Sequence, residues 1–169
     1  QYDAYLAATR KFIEQHPESP LSITAQYQIG EQYFQQGEYT QAIPAYQWIL
    51  DRLPQNEYAD NALYRIGQAH VQMDQSSEAI IAFQRLLNTY AGSELRPDAL
   101  YELANAYLKA LDYKAAAEEY QRFMQSFPAD SKIPQVMLNY GTCLVFLDDL
   151  DGAGKVFNRL MKQFPKSVQ

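Results

Sequence analysis

The sequence predicts an all-α protein, a solenoid of four consecutive helical hairpins preceded by one further helix. Three observations predict it. Residue types recur every 37 positions, apolar residues follow helical spacing twice within each period, and the period-two alternation of strands appears nowhere. Self-similarity at a fixed period of this size is typical of a solenoid, in which each unit contacts only its neighbours.

Several independent series of residues keep the spacing of 37 without a gap. Three consist mainly of small residues: Ala25, Ala62, Ala99 and Val136; Gly30, Gly67, Ala104 and Gly141; Ala42, Ala79, Ala116 and Ala153. One is aromatic, with Tyr46, Phe83, Tyr120 and Phe157, and one is Pro17, Pro54, Pro128 and Pro165, broken only by Ala91. We therefore expect one array over 1–169, with full repeats at 19–55, 56–92, 93–129 and 130–166. Residues 1–18 fit the second helix of a truncated repeat, and 167–169 fit the start of another.

Each repeat is expected to contain two helices joined by a short break. The breaks are predicted near positions 37, 74, 111 and 148. Residues that can cap a helix also recur every 37 positions, at Ser19, Asn56, Ser93, Asp130 and Ser167. The first helix of each pair is expected to start there, although Pro97 and Pro134 leave a separate tight turn open as an alternative. Pro44 is expected to kink its helix or to delay its start.

Two stretches resemble the tetratricopeptide repeat: Ile29-Gly30-x-x-Tyr33 with Ala42-x-x-x-Tyr46 and Pro54, and Leu103-Ala104-x-x-Tyr107 with Ala116-x-x-x-Tyr120 and Pro128. The resemblance covers nearly the whole chain and implies a right-handed superhelix. In that family small residues let paired helices approach, the aromatic residue fills the gap between hairpins, and proline ends the second helix. The period of 37 instead of 34, and Gln26 where tryptophan is frequent, depart from the family pattern.

The junctions between repeats resemble those of bacterial cell-envelope proteins of this family. They read Tyr90-x-x-Ser93 and Phe127-Pro128-x-x-Ser131. Similar junctions occur in the periplasmic partner of the Tol-Pal system and in the lipoprotein of the outer-membrane β-barrel assembly machine. The resemblance therefore implies a periplasmic or outer-membrane-associated location, with the cytoplasm as the alternative.

Composition narrows the classes of partner and of chemistry. A net charge of −6 and a pI near 4.9 disfavour nucleic acid and anionic membrane surfaces. Cys143 is the single cysteine, and His16 and His70 lie 54 residues apart in different repeats. Because a solenoid keeps distant repeats apart, we predict no catalytic residues, no metal site and no cofactor. Direct membrane insertion is not expected of this segment.

The predicted binding surface lies on the first helix of each hairpin, which lines the concave groove in the tetratricopeptide family. Its candidate residues are Tyr27, Glu31, Phe34, Tyr64, Gln68, Tyr101, Asn105, Leu108 and Leu138. Tyrosine rings beside amides suit a peptide or an inserted helix, because a ring buries apolar area and keeps a polar tip. The alternative is that the tyrosines only pack hairpin on hairpin. Arg65 is expected to face Glu102 in a weak surface pair.

These patterns predict a non-catalytic protein-protein interaction scaffold of the bacterial cell envelope whose partner is a protein or a peptide. One alternative is an accessory region of a larger envelope enzyme, such as a peptidoglycan-processing protein. The other is a cytoplasmic scaffold that associates with itself through uncapped ends, because Phe157, Leu160, Met161 and Phe164 form the last apolar helix with no repeat after it.

Overall fold

The computed structural model describes residues 2–165, with side chains from residue 6 onward. Within this range the regular structure consists of α-helices, which confirms the predicted all-α class. The helices are α1 (Tyr2–Gln15), α2 (Pro20–Gln35), α3 (Tyr39–Arg52), α4 (Ala59–Gln72), α5 (Ser76–Thr89), α6 (Arg96–Lys109), α7 (Tyr113–Ser126), α8 (Ile133–Phe146) and α9 (Leu150–Gln163). Helix α1 precedes four hairpins, formed by α2 with α3, α4 with α5, α6 with α7 and α8 with α9.

The 37-residue period reappears in the backbone geometry. The breaks fall at the predicted positions, where Gly37, Asp74, Leu111 and Asp148 all adopt positive φ values between 60° and 76°. The residue after each break donates its N–H to a carbonyl five residues earlier, as Gln75 does to His70 at 2.9 Å. This bond and a left-handed residue together form a Schellman motif, which satisfies the last free carbonyls of the first helix.

The start of the first helix differs among the hairpins. Ser19 caps α2 directly, because its Oγ accepts the Leu21 N–H at 3.3 Å. Asn56 and Asp130 instead accept the N–H two residues ahead, at 2.6 and 2.8 Å, and α4 and α8 begin three residues after them. The expectation of a helix starting at the cap is therefore wrong for α4, whereas the separate tight turn left open at Pro134 is confirmed for α8. A separate tight turn precedes each, as an Asx turn allows.

In α6 the serine of this series has another role. Ser93 donates its hydroxyl to Asp60 Oδ2 at 2.6 Å, and α6 begins at Arg96 with Pro97 in its first turn. A proline fits there because the first N–H groups of a helix have no partner within the helix. The last member of the series, Ser167, lies outside the described residues.

Paired helices approach closely at the series of small residues. The ring of Tyr46 on α3 lies over Gly30 on α2, and the ring of Phe83 on α5 lies over Gly67 on α4. The aromatic series therefore packs within its own hairpin, whereas the family resemblance implied a filler between hairpins. Pro44 does not delay α3, which begins at Tyr39 and continues through the proline to Arg52.

Contacts divide the chain into two compact units, 1–93 and 94–169, with the boundary at the start of the predicted third repeat. In the first unit α1 packs on α2, and α3 packs on α4. In the second unit α7 packs on α8. None of the helices described combines the length and the apolar character that crossing a membrane requires.

Candidate protein-binding surface on the first helices of the hairpins

In the first unit, two predicted tyrosines rest on aromatic rings and keep part of their surface accessible. The ring of Tyr27 on α2 lies 5.6 Å from that of Tyr46 and 4.9 Å from that of Tyr58. The ring of Tyr64 on α4 lies 5.8 Å from that of Phe83. Tyr27 and Tyr64 are half-buried, whereas Tyr46 and Phe83 are fully buried. The buried rings of Tyr46 and Phe83 thus pack against the inner faces of the two tyrosines and fix their orientation.

A hydrogen-bonded network joins the first two repeats beside these rings. Arg65 donates from Nε to Glu31 Oε1 at 2.7 Å and from Nη2 to Glu31 Oε2 at 2.9 Å, which is a bidentate ion pair. Its Nη1 donates to Gln68 Oε1 at 2.9 Å. The guanidinium also lies 5.0 Å from the centre of the Phe34 ring. Three predicted side chains, Glu31, Gln68 and Phe34, are thereby brought together around one guanidinium.

The partner of Arg65 corrects a prediction from the sequence. We expected Glu102 of the next repeat, but Arg65 pairs with Glu31 of the preceding repeat, so that prediction is wrong. The pair is partly shielded, with side-chain exposures of 32% for Arg65 and 21% for Glu31. Its net contribution to stability is therefore expected near the upper end of about 0–1 kcal/mol for a surface pair.

Glu31 also connects this network to the buried aromatic layer. The hydroxyl of Tyr46 donates to Glu31 Oε1 at 2.7 Å. Burial and the hydrogen bond to Glu31 raise the pKa of Tyr46 well above its usual value. Burial, followed by the charge of Glu31, also raises the pKa of Tyr27. Both phenols therefore remain protonated hydrogen-bond donors at neutral pH.

The second unit repeats this arrangement with neutral side chains. The hydroxyl of Tyr120 donates to Asn105 Oδ1 at 2.5 Å. Asn139, 74 residues after Arg65, donates from Nδ2 to Tyr120 Oη at 3.0 Å and approaches Asn105 Oδ1 at 3.3 Å. Tyr101 is half-buried, with its ring 6.3 Å from that of Phe123. Asn105 and Asn139 thus stand where the first unit has its ion pair.

The second unit also contains two predicted leucines and a cluster of charged residues on its first helices. Leu138 is exposed and Leu108 is half-buried. On α6, burial raises the pKa of Glu102, and the nearby Asp98 carboxylate adds to the rise, while a hydrogen bond from Asn105 opposes it. Asp98 itself forms an ion pair with Lys132, whose Nζ lies 2.7 Å from Asp98 Oδ1.

Sequence reasoning did not include Tyr58 or Asn139 in these networks, and it gave Arg65 the wrong partner. A signal for them was present. The aromatic series carries a hydroxyl in the first and third repeats, at Tyr46 and Tyr120, but not at Phe83 or Phe157. In each of these two repeats the hydroxyl donates to a side chain 15 residues earlier, Glu31 or Asn105. A period of two repeats is thus superimposed on the period of one.

The first unit also contains two equivalent clefts away from the tyrosines. The larger, of about 260 Å³, lies between α1, α2 and α3, where Arg10 donates to the Tyr33 hydroxyl at 2.6 Å and Trp48 forms part of the wall. The second, of about 210 Å³, has His70 and Arg85 at the positions 37 residues later. In residues 2–165, no three His, Cys, Asp or Glu side chains are grouped closely enough to hold a metal ion.

Comparison with known protein families assigns the chain to one of them. A model described as "YfiO: Outer membrane lipoprotein" matches residues 56–168, which is more than half of the sequence. The chain belongs to this family. A second model, a tetratricopeptide repeat, matches residues 24–56 in the first repeat. The resemblance to the tetratricopeptide fold and to an outer-membrane lipoprotein is thereby confirmed.

Solved structures similar to this YfiO-family chain confirm its fold. The MamA protein shares 20% identity with a TM-score of 0.77 over 99% of this chain and 85% of its own. YrrB, described as a TPR protein with an unusual peptide-binding site, shares 25% identity with a TM-score of 0.69 over 94% of this chain and 75% of its own. PilF of Pseudomonas aeruginosa shares 18% identity with a TM-score of 0.65, over 95% of this chain and 68% of its own. No curated protein matches the chain by sequence.

Proposed function

We propose that the chain is a non-catalytic scaffold of the bacterial cell envelope that holds a peptide or a helix against the first helices of its hairpins. The observation that carries the proposal is the set of half-buried tyrosines, Tyr27 and Tyr64 in the first unit and Tyr101 in the second. Each is braced by a buried ring on its inner side and presents the remaining surface outward. Such pre-positioned rings bind at low entropic cost, because few rotamers are lost on contact.

The polar residues beside the rings favour an extended or helical protein segment as the ligand. The amides of Asn105 and Asn139 in the second unit bond to neighbouring side chains, whereas Gln68 in the first unit keeps its amide nitrogen available while its Oε1 accepts from Arg65. An amide in this position can bond to a peptide backbone whatever its side chains. The peptide-binding site named for YrrB supports the same class of ligand. Membership of an outer-membrane lipoprotein family supports a periplasmic, outer-membrane-associated location.

A photo-crosslinking experiment on the full-length protein in its source cells tests the proposal. Benzoylphenylalanine at position 68 should capture a protein partner, and the same probe at position 81, on the second helix α5, serves as the control. Replacing Tyr27 and Tyr64 by alanine should abolish capture from position 68. Truncation of a central aromatic anchor typically costs about 2 kcal/mol of binding free energy, or roughly thirtyfold in affinity. Ile81→Ala, also an apolar truncation, should leave capture unchanged.

Two results would contradict the proposal. Undiminished capture in the Tyr27→Ala, Tyr64→Ala variant, with its helical circular dichroism intact, would place the site elsewhere. Loss of the helical signal in that variant would mean that the tyrosines serve the core. In that case the single substitution Phe34→Ala tests the surface of the first unit with a smaller packing change, and unchanged capture from position 68 would exclude it. Fractionation of the same cells tests the location, and recovery with the cytoplasmic proteins would overturn that part.

A further inference from the structure

A second apolar surface lies at the hairpin turns of the second unit, and its residues are Leu111, Tyr113, Phe146, Leu147 and Leu150. We call it the turn patch. The rings of Tyr113 and Phe146 stack with their centres 4.3 Å apart and their planes 9° from parallel, which places the α6–α7 and α8–α9 turns side by side. Phe146 is 60% exposed, Leu150 62% and Leu111 68%. Exposed apolar groups that adjoin one another are typical of an interaction site, unlike single exposed ones.

Comparison among the repeats shows that the hairpin fold does not require these apolar residues. The position of Phe146 holds Gln35, Gln72 and Lys109 in the other repeats. The position of Leu147 holds Gln36, Met73 and Ala110, and that of Leu150 holds Tyr39, Ser76 and Tyr113. The same turn is therefore built elsewhere in this chain from largely polar residues. The geometry of the turn therefore does not require the exposed apolar side chains Leu147 and Leu150 of the fourth repeat.

The backbone at Leu111 adds an independent observation. Leu111 has a φ of 61° in the turn where the first repeat has Gly37 at 76°. A left-handed conformation is strained for a leucine and unstrained for a glycine. Because Leu111 is largely exposed, burial of its side chain does not offset the strain within this chain. Contact with a partner would bury it.

Charges around the turn patch indicate the kind of partner. Asp112, Asp148, Asp149 and Asp151 lie in or beside the two turns and are exposed, whereas Lys109 and Lys114 are the cations of the same segments. Further along α7, the carboxylates of Glu118 and Glu119 add to the negative charge near the turns. Burial and then the charges of Glu119, Asp112 and Glu118 raise the pKa of Tyr107, which reports a negative local field.

We propose that the turn patch docks an amphipathic helix of another protein whose apolar face is flanked by lysine or arginine. The apolar side chains of that helix cover Phe146, Leu147 and Leu150, and its cations meet the aspartates at the rim. A second copy of this chain would bring carboxylates against carboxylates, and an anionic lipid surface would bring phosphates against them, so both would be repelled. This docking surface is separate from the tyrosine surface of the proposed function and does not depend on it.

Binding of a synthetic helix to the full chain tests the proposal. The probe is a fluorescent amphipathic peptide of about 18 residues, long enough for five turns, built from leucine and lysine. Fluorescence anisotropy should show saturable binding that weakens as salt is raised from about 50 to 300 mM. The matched leucine and glutamate peptide should not bind. The pair Phe146→Ser with Leu150→Ser should weaken binding of the lysine peptide by about tenfold or more, as loss of central apolar anchors does.

Control variants separate docking from folding. Ile81→Ser changes an equally exposed apolar residue of the first unit and should bind as the unchanged chain does. Tyr27→Ala with Tyr64→Ala should also leave the probe's affinity unchanged. Leu111→Gly relieves the backbone and removes part of the patch, so its Tm should rise by about 2–4 °C while its affinity for the probe falls. A merely structural leucine would not give these opposite changes.

Each contrary outcome overturns the proposal in a recognisable way. Equal binding of the glutamate peptide, or an equal loss in Ile81→Ser, would show nonspecific apolar adhesion. A loss in the tyrosine variant would place the probe on the other surface. A concentration-dependent dimer by light scattering that Phe146→Ser abolishes would assign the patch to a second copy of the chain. Sedimentation with phosphatidylglycerol vesicles that depends on Phe146 would assign it to a membrane surface.

Discussion

The ring of Phe83 lies directly against the backbone of Gly67, so that a Cβ added to this glycine would stand 2.5 Å from Cε1 of the ring. Gly30 and Tyr46 repeat the relationship one hairpin earlier, with a corresponding distance of 2.6 Å to Cε1. Carbon atoms in contact lie about 3.5–4.0 Å apart, so no side chain fits while the ring stays in place. Both rings are fully buried and have little room to move.

Gly67→Leu should therefore destabilise the fold more than any surface substitution. Overpacking of a filled interior typically costs about 1–3 kcal/mol, because side chains leave their preferred rotamers and helices shift. Gly67→Ala should act in the same direction with a smaller effect. Urea denaturation followed by circular dichroism measures both.

A glycine in open space provides the matched control. Nothing lies within 4 Å of a Cβ added to Gly154, which is inside α9. Gly154→Ala should therefore stabilise by about 0.5–1 kcal/mol, the usual gain of alanine over glycine in a helix. Equal effects of the alanine substitutions at Gly67 and Gly154 would contradict the packing described.

Tyr46→Phe should separate the hydrogen bond to Glu31 from the packing of the ring. Phenylalanine already occupies the equivalent position in the second repeat as Phe83, so the ring should fit without a cavity. We expect a loss of about 1 kcal/mol in the free energy of unfolding, the typical net value of one hydrogen bond. Thermal and urea unfolding measure it.

The charge on Glu31 should matter less than the Tyr46 hydroxyl. Glu31→Gln keeps an oxygen to accept from Tyr46 but removes the ion pair with Arg65, which is partly exposed. We expect a loss of no more than about 1 kcal/mol that shrinks at high salt. A larger, salt-independent loss would show that the ion pair is the main support of the network.

Glu102→Gln should stabilise the chain near neutral pH. Burial raises the pKa of Glu102 in the folded state above the ordinary 4.5, so folding favours its protonated form. The stability that this preference provides is fully present below about pH 4.5 and is lost as pH rises through the folded-state pKa. Glutamine is neutral at every pH, so the Glu102→Gln variant should be more stable than the unchanged chain once the pH exceeds the folded-state pKa of Glu102.

Melting temperatures at pH 4 and pH 7 provide the test for Glu102. The difference between Glu102→Gln and the unchanged chain should be greater at pH 7. Glu118→Gln, which alters an exposed carboxylate on α7, should give no comparable change between the two pH values. An advantage for Glu102→Gln that is equal at both would mean that the carboxyl is well solvated in the folded state.

Cys143 should report global unfolding. It is fully buried on α8, and burial raises the pKa of its thiol to about 11. Because the thiolate is the reactive form, modification at pH 8 should occur only after the surrounding helices separate. The urea midpoint of labelling by a thiol reagent should match that of circular dichroism. Ser77→Cys, at an exposed position, should label at once, and equally fast labelling of Cys143 without urea would contradict its burial.

The sequence by itself determined the hairpins, their breaks and the small residues at which paired helices approach each other. These features depend on short-range rules, namely helical spacing of apolar residues, capping and the return of small residues every 37 positions. The breaks at 37, 74, 111 and 148 were predicted correctly for this reason. The placement of the tyrosines on the first helices followed from the same repeat phase.

The tertiary structure decided which polar side chains meet. Glu31 bonds to Tyr46, 15 residues ahead, and to Arg65, 34 residues ahead, and no local rule selects these partners over Glu102. It also decided that Tyr113 and Phe146 stack. Such choices depend on the distances between side chains after the helices have packed, where hydrogen bonding and close contact act only over a few ångströms.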